Sequence, residues 1–149
     1  MAIARGAGTE IIRSAHFEDV DSSSHVLIFG VQHHIYTVLS VILNAPVIQA
    51  AGNYAEMHIL GYDVTAGTTA QTISIFRQDM TLHSTFVWND KFSFNGHEPT
   101  DFAAALDSIA KQDAIADQGS SVAQKLRMST ENASDGFEVH VTFIDQNNA

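Results

Sequence analysis

Histidines are the residues of this chain best suited to chemistry: there are 8 of them against 7 Lys and Arg, and a neutral imidazole is the commonest nitrogen ligand of a metal ion. The strongest grouping is His33-His34 with His58 and His83. Its spacing argues against a shared ion. Adjacent residues on a strand point to opposite faces, and no two histidines are separated by a single residue, the spacing that would put a pair on one strand face. No metal ligand is assigned on this basis. Hydrolytic chemistry finds no better footing, because no Ser sits in a Gly-flanked elbow and composition alone places no triad. Asp107, Asp113 and Asp117 fall in an Ala-rich segment and read as a solvated helix face, not as an acid/base pair. There is no Gly-rich phosphate loop, and with Cys 0 there is neither a thiolate site nor a disulfide. The chain is expected to be non-enzymatic, with no catalytic residues and no cofactor.

The residues left with a chemical role are those suited to association. Arg5 and Arg13 are among few cations in an acidic chain and are expected to meet carboxylates on a partner, with Ile11 and Ile12 supplying apolar contact. They lie in an N-terminal arm, residues 1 to about 13, whose first nine residues hold too few large apolar groups to fold alone. A second gripping segment is the stretch 97–121, a long excursion in a domain of short connections, where Phe102 and Leu106 are the partner-facing candidates.

The elements that must position these residues are strands. The stretch 85–96, TFVWNDKFSFNG, places Phe86 and Trp88, then Phe92 and Phe94, with period two around Asn89-Asp90-Lys91, and predicts a hairpin of two short apolar strands. HVLIF from His25 is a strand that Gly30 ends, and HIYTVLSVIL from His34 is too β-branched for a helix and predicts a long central strand. Segments 54–62, 71–78 and 122–130 alternate, and FEVHVTFI from Phe137 is the cleanest alternation in the chain. Segment 44–53 reads as a connection, and 63–70 and 132–136 as turns. Between them, 97–121 is Ala-rich with Pro99 near its start and Gly119 at its end. This predicts a short helix in a long loop, with Phe102, Leu106, Ile109 and Ile115 near helical spacing. About eight strands with one helical interruption predict an all-β antiparallel sandwich of jelly-roll type. The core is expected to join Phe86, Trp88, Phe92 and Phe94 to Val139, Val141 and Phe143.

Length and charge bound the rest. A chain of 149 residues makes one domain, 1–149, with 1–9 an extended arm and 10–149 the sandwich with its insertion. Charged residues are 16% of the chain, so the exposed faces must be largely neutral and polar. A net charge of −10 disfavours direct contact with nucleic acid. No apolar run reaches the roughly 20 residues of a membrane helix, and MAIARGAGTE is followed by no hydrophobic region, so neither a span nor a signal peptide is expected.

The order of these elements, a strand through HHIYTVLSVIL, an extended YAEMHILGY, then TFVWNDKFSFNG and a final FEVHVTFIDQNNA, resembles small virion structural proteins of tailed bacteriophages. The resemblance spans about residues 30–96 and 122–145. It implies a capsid decoration (cement) protein of the virion, or a tail or neck component. It also implies a homo-oligomer, a trimer by preference, in contact with other virion proteins such as the major capsid protein. The alternative class is a metal- or carbohydrate-binding jelly-roll protein. Metal-binding jelly rolls of the cupin type carry a His-any-His pair with a nearby Glu, which this sequence lacks.

Overall fold

The cleanest alternation of the sequence and its long β-branched stretch lie side by side. In the computed structural model, which describes residues 6–63, 68–100, 105–116 and 121–148, β11 (Gly136–Asn147) runs antiparallel to β3 (His34–Val47). On its other side β11 pairs with β1 (Glu10–Val20). The far edge of β3 carries both β6 (Thr85–Trp88) and β7 (Phe92–Asn95). The facing sheet has the order β2 (His25–Phe29), β10 (Lys125–Thr130), β4 (Tyr54–Asp63), β5 (Thr68–Asp79). With β6 and β7 taken as one interrupted strand, these are eight antiparallel strands in two sheets ordered β1-β11-β3-β6/β7 and β2-β10-β4-β5, a jelly roll. A two-stranded ribbon of β8 (His97–Pro99) and β9 (Ser121–Ala123) closes the base of the insertion that carries α1 (Ile109–Ala116). Among the described residues no helix is long and apolar enough to cross a membrane.

The core follows from the alternation. Phe137, Val139, Val141 and Phe143 of β11 meet Val38, Val41 and Leu43 of β3 and, from the facing sheet, Leu27, Met57, Leu126 and Met128, all buried. A run of ring contacts then closes one side of the sandwich. Phe76 of edge strand β5 lies 5.4 Å from Phe86 and 6.1 Å from Trp88, and the series continues through Phe92 and Phe94 to Tyr36 and Phe143. The expected sharing of one core by these aromatics and β11 holds, with Phe86, Trp88 and Phe92 at its half-buried margin.

Four local expectations are corrected. The stretch 85–96 is not a hairpin: Thr85 to Trp88 pairs with Asn44 to Val41, and Phe92 to Asn95 pairs with Val38 to Ile35, so both segments continue along one edge of β3. Asn89, Asp90 and Lys91, the last at φ 54°, form a break in a single strand opposite Leu39 and Ser40. Alternation in β5 is interrupted by a register shift between Met57 and His58, so that Ile75 and Phe76 both reach the core while Ile73 is 69% exposed. β3 runs on through Pro46 to Val47 into the segment read as a connection. The helix begins at Ile109, where the Ser108 hydroxyl accepts from the Lys111 N–H at 3.2 Å, so Leu106 lies ahead of it. Asp107 also precedes the helix and pairs with Lys111, and Asp113 is exposed within it.

Two glycines fix where the insertion leaves the sandwich. Gly30 donates its N–H to the Gln124 carbonyl, and Gln124 donates to the Gly96 carbonyl, each at 2.8 Å. A Cβ at Gly30 would fall on the Gly96 and Gln124 carbonyl oxygens, and one at Gly96 on the Val31 carbonyl. Only glycine allows three backbones to approach this closely.

Candidate functional site

The outward face of the β1 sheet has an unusual chemistry for a solvent face. Outward positions on β1 are Ile12, Ser14, His16 and Glu18, and those on β11 are Glu138, His140, Thr142 and Ile144. β3 adds Thr37, Ile42 and Asn44, and the interrupted edge strand adds Thr85, Val87 and Ser93. Among these positions there is no Lys or Arg. Register builds two cross-strand rows with apolar side chains, Ile12–Ile144–Thr37–Ser93 and His16–His140–Ile42–Val87. Ile12 is 72% exposed, and Ile42 and Val87 are also open. One hydroxyl pair, Ser14 with Thr142 at 3.1 Å, lies between the rows, and another, Thr37 with Ser93 at 2.9 Å, ends the first. A partly apolar surface of this kind, without cations and with its carboxylates confined to the Glu18–Glu138 corner, is suited to another protein surface.

At the end of the same sheet, Arg13 Nε donates to Asp145 Oδ2 at 3.2 Å, and His34 Nδ1 lies 2.7 Å from Asp145 Oδ1. The Asp145 carboxylate is almost wholly buried and Arg13 is half exposed. Together they border an open cavity of about 240 Å³ whose apolar wall includes Leu27, Phe29, Val31, Tyr36 and Phe143. A carboxylate that orients an imidazole through Nδ1 is part of a hydrolytic triad. Among the described residues, though, Asp145 is the one side chain in hydrogen-bond contact with His34.

Of the residues singled out for partner contact, Ile12 faces outward and open, while Ile11 turns inward and is half buried. Arg13 meets a carboxylate of its own chain, because β1 is the neighbour of β11 and not a free arm from residue 10 onward. Leu106 is exposed ahead of α1. Arg5 and Phe102 lie outside the described residues.

The histidines of the metal grouping are dispersed. His33 and His83 occupy turns at φ 63° and 64°, and His34 is held by Asp145. His58, on the outward side of β4, is buried under its neighbours, with Arg127 Nε donating to its Nε2 at 3.2 Å and Glu56 Oε1 4.0 Å from Nδ1. Burial, and then the Arg127 charge, hold its pKa below the usual histidine value against the opposing pull of Glu56. Instead, His16, Glu18 and Glu138 converge, with His140 directly opposite His16, a grouping that a single-strand reading misses because its members come from opposite ends of the chain. The outward alternation in FEVHVTFI was visible, but the register that sets His140 opposite His16 was not.

No family model matches the chain, and no curated protein matches it. Among solved structures it is similar to a protein of Bacillus endospore appendages, described as a novel family of disulfide-linked pili. That match has 10% identity, covers 100% of this chain and 97% of that one, and has a TM-score of 0.44. It is similar to a chain of the infectious bursal disease virus Gt strain at 9% identity, with 99% of this chain and 34% of that one covered and a TM-score of 0.49. A chain of the extra small virus of the giant freshwater prawn Macrobrachium rosenbergii matches at 7% identity, over 100% of this chain and 86% of that one, with a TM-score of 0.35. This chain spans about a third of the length of the bursal disease virus chain. At these identities the likeness concerns the arrangement of strands alone.

Proposed function

We propose that the chain is a non-enzymatic structural subunit of a virion, acting through its sheet faces and edges as a capsid decoration protein of a tailed bacteriophage. The observation that carries this reading is the outward face of the β1 sheet, where Ile12, Ile144, Ile42 and Val87 stand among Ser and Thr with no Lys or Arg between them. Surface sheets of solitary proteins are protected by charge, especially Lys at edges. Here β1 is a sheet edge of 11 residues without a Lys, and its charges, Glu10, Arg13, Glu18 and Asp19, leave Ile12 open between them. The sequence resemblance supplies the phage assignment, and a tail or neck position is the variant of the same reading. Association as a homo-oligomer, a trimer by preference, would cover the face, and contact with a major capsid protein would cover the edge.

Mass spectrometry of intact virions whose genome encodes the chain, with a copy-number measurement, tests the proposal. Hundreds of copies per particle are expected of a decoration protein, and a handful of copies would move it to the tail or neck. Absence from the particle, together with a strictly monomeric mass by light scattering, would reject a structural role.

A further inference from the structure

At one corner of the outward face, four side chains of metal-ligand type meet across two strands. His16 and His140 are direct partners in the β1–β11 register, and their ring centroids are 6.0 Å apart. Glu18 and Glu138 stand two residues along their strands, so all four project from the same side of the sheet. One ligand atom each of His16, Glu18 and Glu138 lies within 4.8 Å of the others, and His16 Nε2 is 3.7 Å from Glu18 Oε1. Among the described residues no Lys or Arg is paired with either carboxylate, in a chain of net charge −10. Two imidazoles beside two carboxylates make a donor set suited to a cation.

We propose that His16, Glu18 and Glu138, with His140 as fourth donor, bind a divalent cation of borderline softness, zinc being the reference ion. Mixed imidazole and carboxylate donors favour zinc over calcium or magnesium, which take oxygen donors. Tetrahedral zinc with bonds near 2.0–2.1 Å needs donor atoms roughly 3.3 Å apart. The present spacing therefore closes by rotation of the exposed Glu18 and half-buried Glu138 side chains and by a turn of the His140 ring, without movement of the strands. The ion would tie edge strand β1 to central strand β11, between residues from opposite ends of the chain. No such site is preformed in the unfolded chain, so the ion stabilises the folded state. A β1 held in this way keeps the outward face flat and its edge in place.

The test is calorimetric titration of zinc chloride into chelator-treated full-length protein, with cobalt(II) absorption as a second reading of the donor set. One equivalent bound with micromolar or tighter affinity, and a melting temperature that rises with zinc, are expected. Removing two donors in His16→Ala/Glu138→Gln should weaken binding at least about tenfold, and His83→Ala, in a remote turn, should not change it. Should the alanine variant fold poorly by circular dichroism, Glu18→Gln/Glu138→Gln removes two donors while keeping side-chain size. No stoichiometric zinc in the parent would overturn the assignment, as would parent affinity in the donor variants or zinc binding seen only as cross-linking of two copies.

Discussion

Arg13 and Asp145 join the edge of one sheet to its centre: Arg13 Nε of β1 reaches Asp145 Oδ2 of β11 at 3.2 Å, while the second carboxylate oxygen holds His34 Nδ1 of β3. One almost fully buried carboxylate thus ties three neighbouring strands at the end of the sandwich, next to the open cavity. Without it, two ring and guanidinium donors would face an apolar wall. Asp145→Ala is therefore expected to lower stability by about 2–4 kcal/mol, below the full range for a broken buried pair because Arg13 keeps access to water. Arg13→Ala, removing the exposed partner, should cost no more than about 1 kcal/mol. Urea unfolding of both variants and the double variant measures the coupling. Equal costs for the two single changes would show that the carboxylate is not the hub.

Acid should weaken the fold through His58 and His97. Both are held below the ordinary histidine value of 6.5, first by burial, then by the Arg127 charge at His58 and by His33 at His97. The unfolded chain therefore takes up protons on these rings before the folded one does. Their contribution is constant above the unfolded value and is lost as pH falls below about 6.5 toward the lower folded values. At His58 the geometry explains the resistance: Nε2 accepts from Arg127, and a proton there would face a cation. Melting temperatures across pH 5 to pH 8, roughly the window in which histidine titrates, should fall on the acid side. A His58→Gln protein should show a shallower fall, and an unchanged pH profile would remove His58 from this role.

The aromatic run predicts a graded response to truncation. Phe137 is fully buried between the sheets, so Phe137→Ala should cost about 3–5 kcal/mol. Trp88 is half buried at the margin, where it stacks on Phe76 of the opposite sheet edge, so Trp88→Ala should cost less, about 2–3 kcal/mol. Chemical denaturation orders the two, and the reverse order would mean that the closure between β5 and β6 matters more than the centre.

What the sequence made legible, and what it did not, has one physical cause. Period-two alternation reports that a residue faces inward, and on that basis β2, β3, β4, β10 and β11 and the sandwich class were readable from residues such as Val139 and Val141. Alternation does not report the partner of a strand. The same Phe86-Trp88 and Phe92-Phe94 pattern serves a hairpin or a single strand running along β3, and the choice depends on the break opposite Leu39 and Ser40. The alternation of 71–78 does not place Ile73, because a bulge at the Met57/His58 register shift leaves no mark in the spacing of β5 itself. The His16–His140 pairing is a matter of register between distant strands, and the carboxylate that Arg13 meets is likewise a matter of strand neighbours.

The close crossing of Gly30 and Gly96 predicts a severe local lesion. An added methyl at either position would collide with backbone carbonyls and not with side chains that could turn away. Gly96→Ala should therefore lose the bonds through which Gln124 joins both glycines, with destabilisation of more than about 2 kcal/mol. Hydrogen exchange should show loss of protection at Gly30 and Gln124 before the β3–β11 centre is affected. Protection at the parent level would mean that the backbone relaxes to admit the methyl.

The outward face supplies the prediction that separates assembly from folding. Ile12 and Ile42 lie on two cross-strand rows of the β1 sheet separated by the Ser14–Thr142 row, both open to solvent, and neither contributes to the core. Placing a carboxylate at such a position leaves the isolated fold within about 0.5 kcal/mol of the parent, the usual scale for surface changes. On a face that packs against another protein, the same change buries a charge without a partner and costs several kcal/mol. Ile12→Asp/Ile42→Asp should therefore melt close to the parent while failing to form the oligomer by light scattering and failing to join particles in a reconstitution assay. The matched control is Ile73→Asp, which puts the same charge on an exposed position of β5 in the opposite sheet and should leave association unchanged. Association lost with Ile73→Asp and kept with the double variant would transfer the interface to the β5 edge. Association kept in all three proteins would remove both surfaces from assembly.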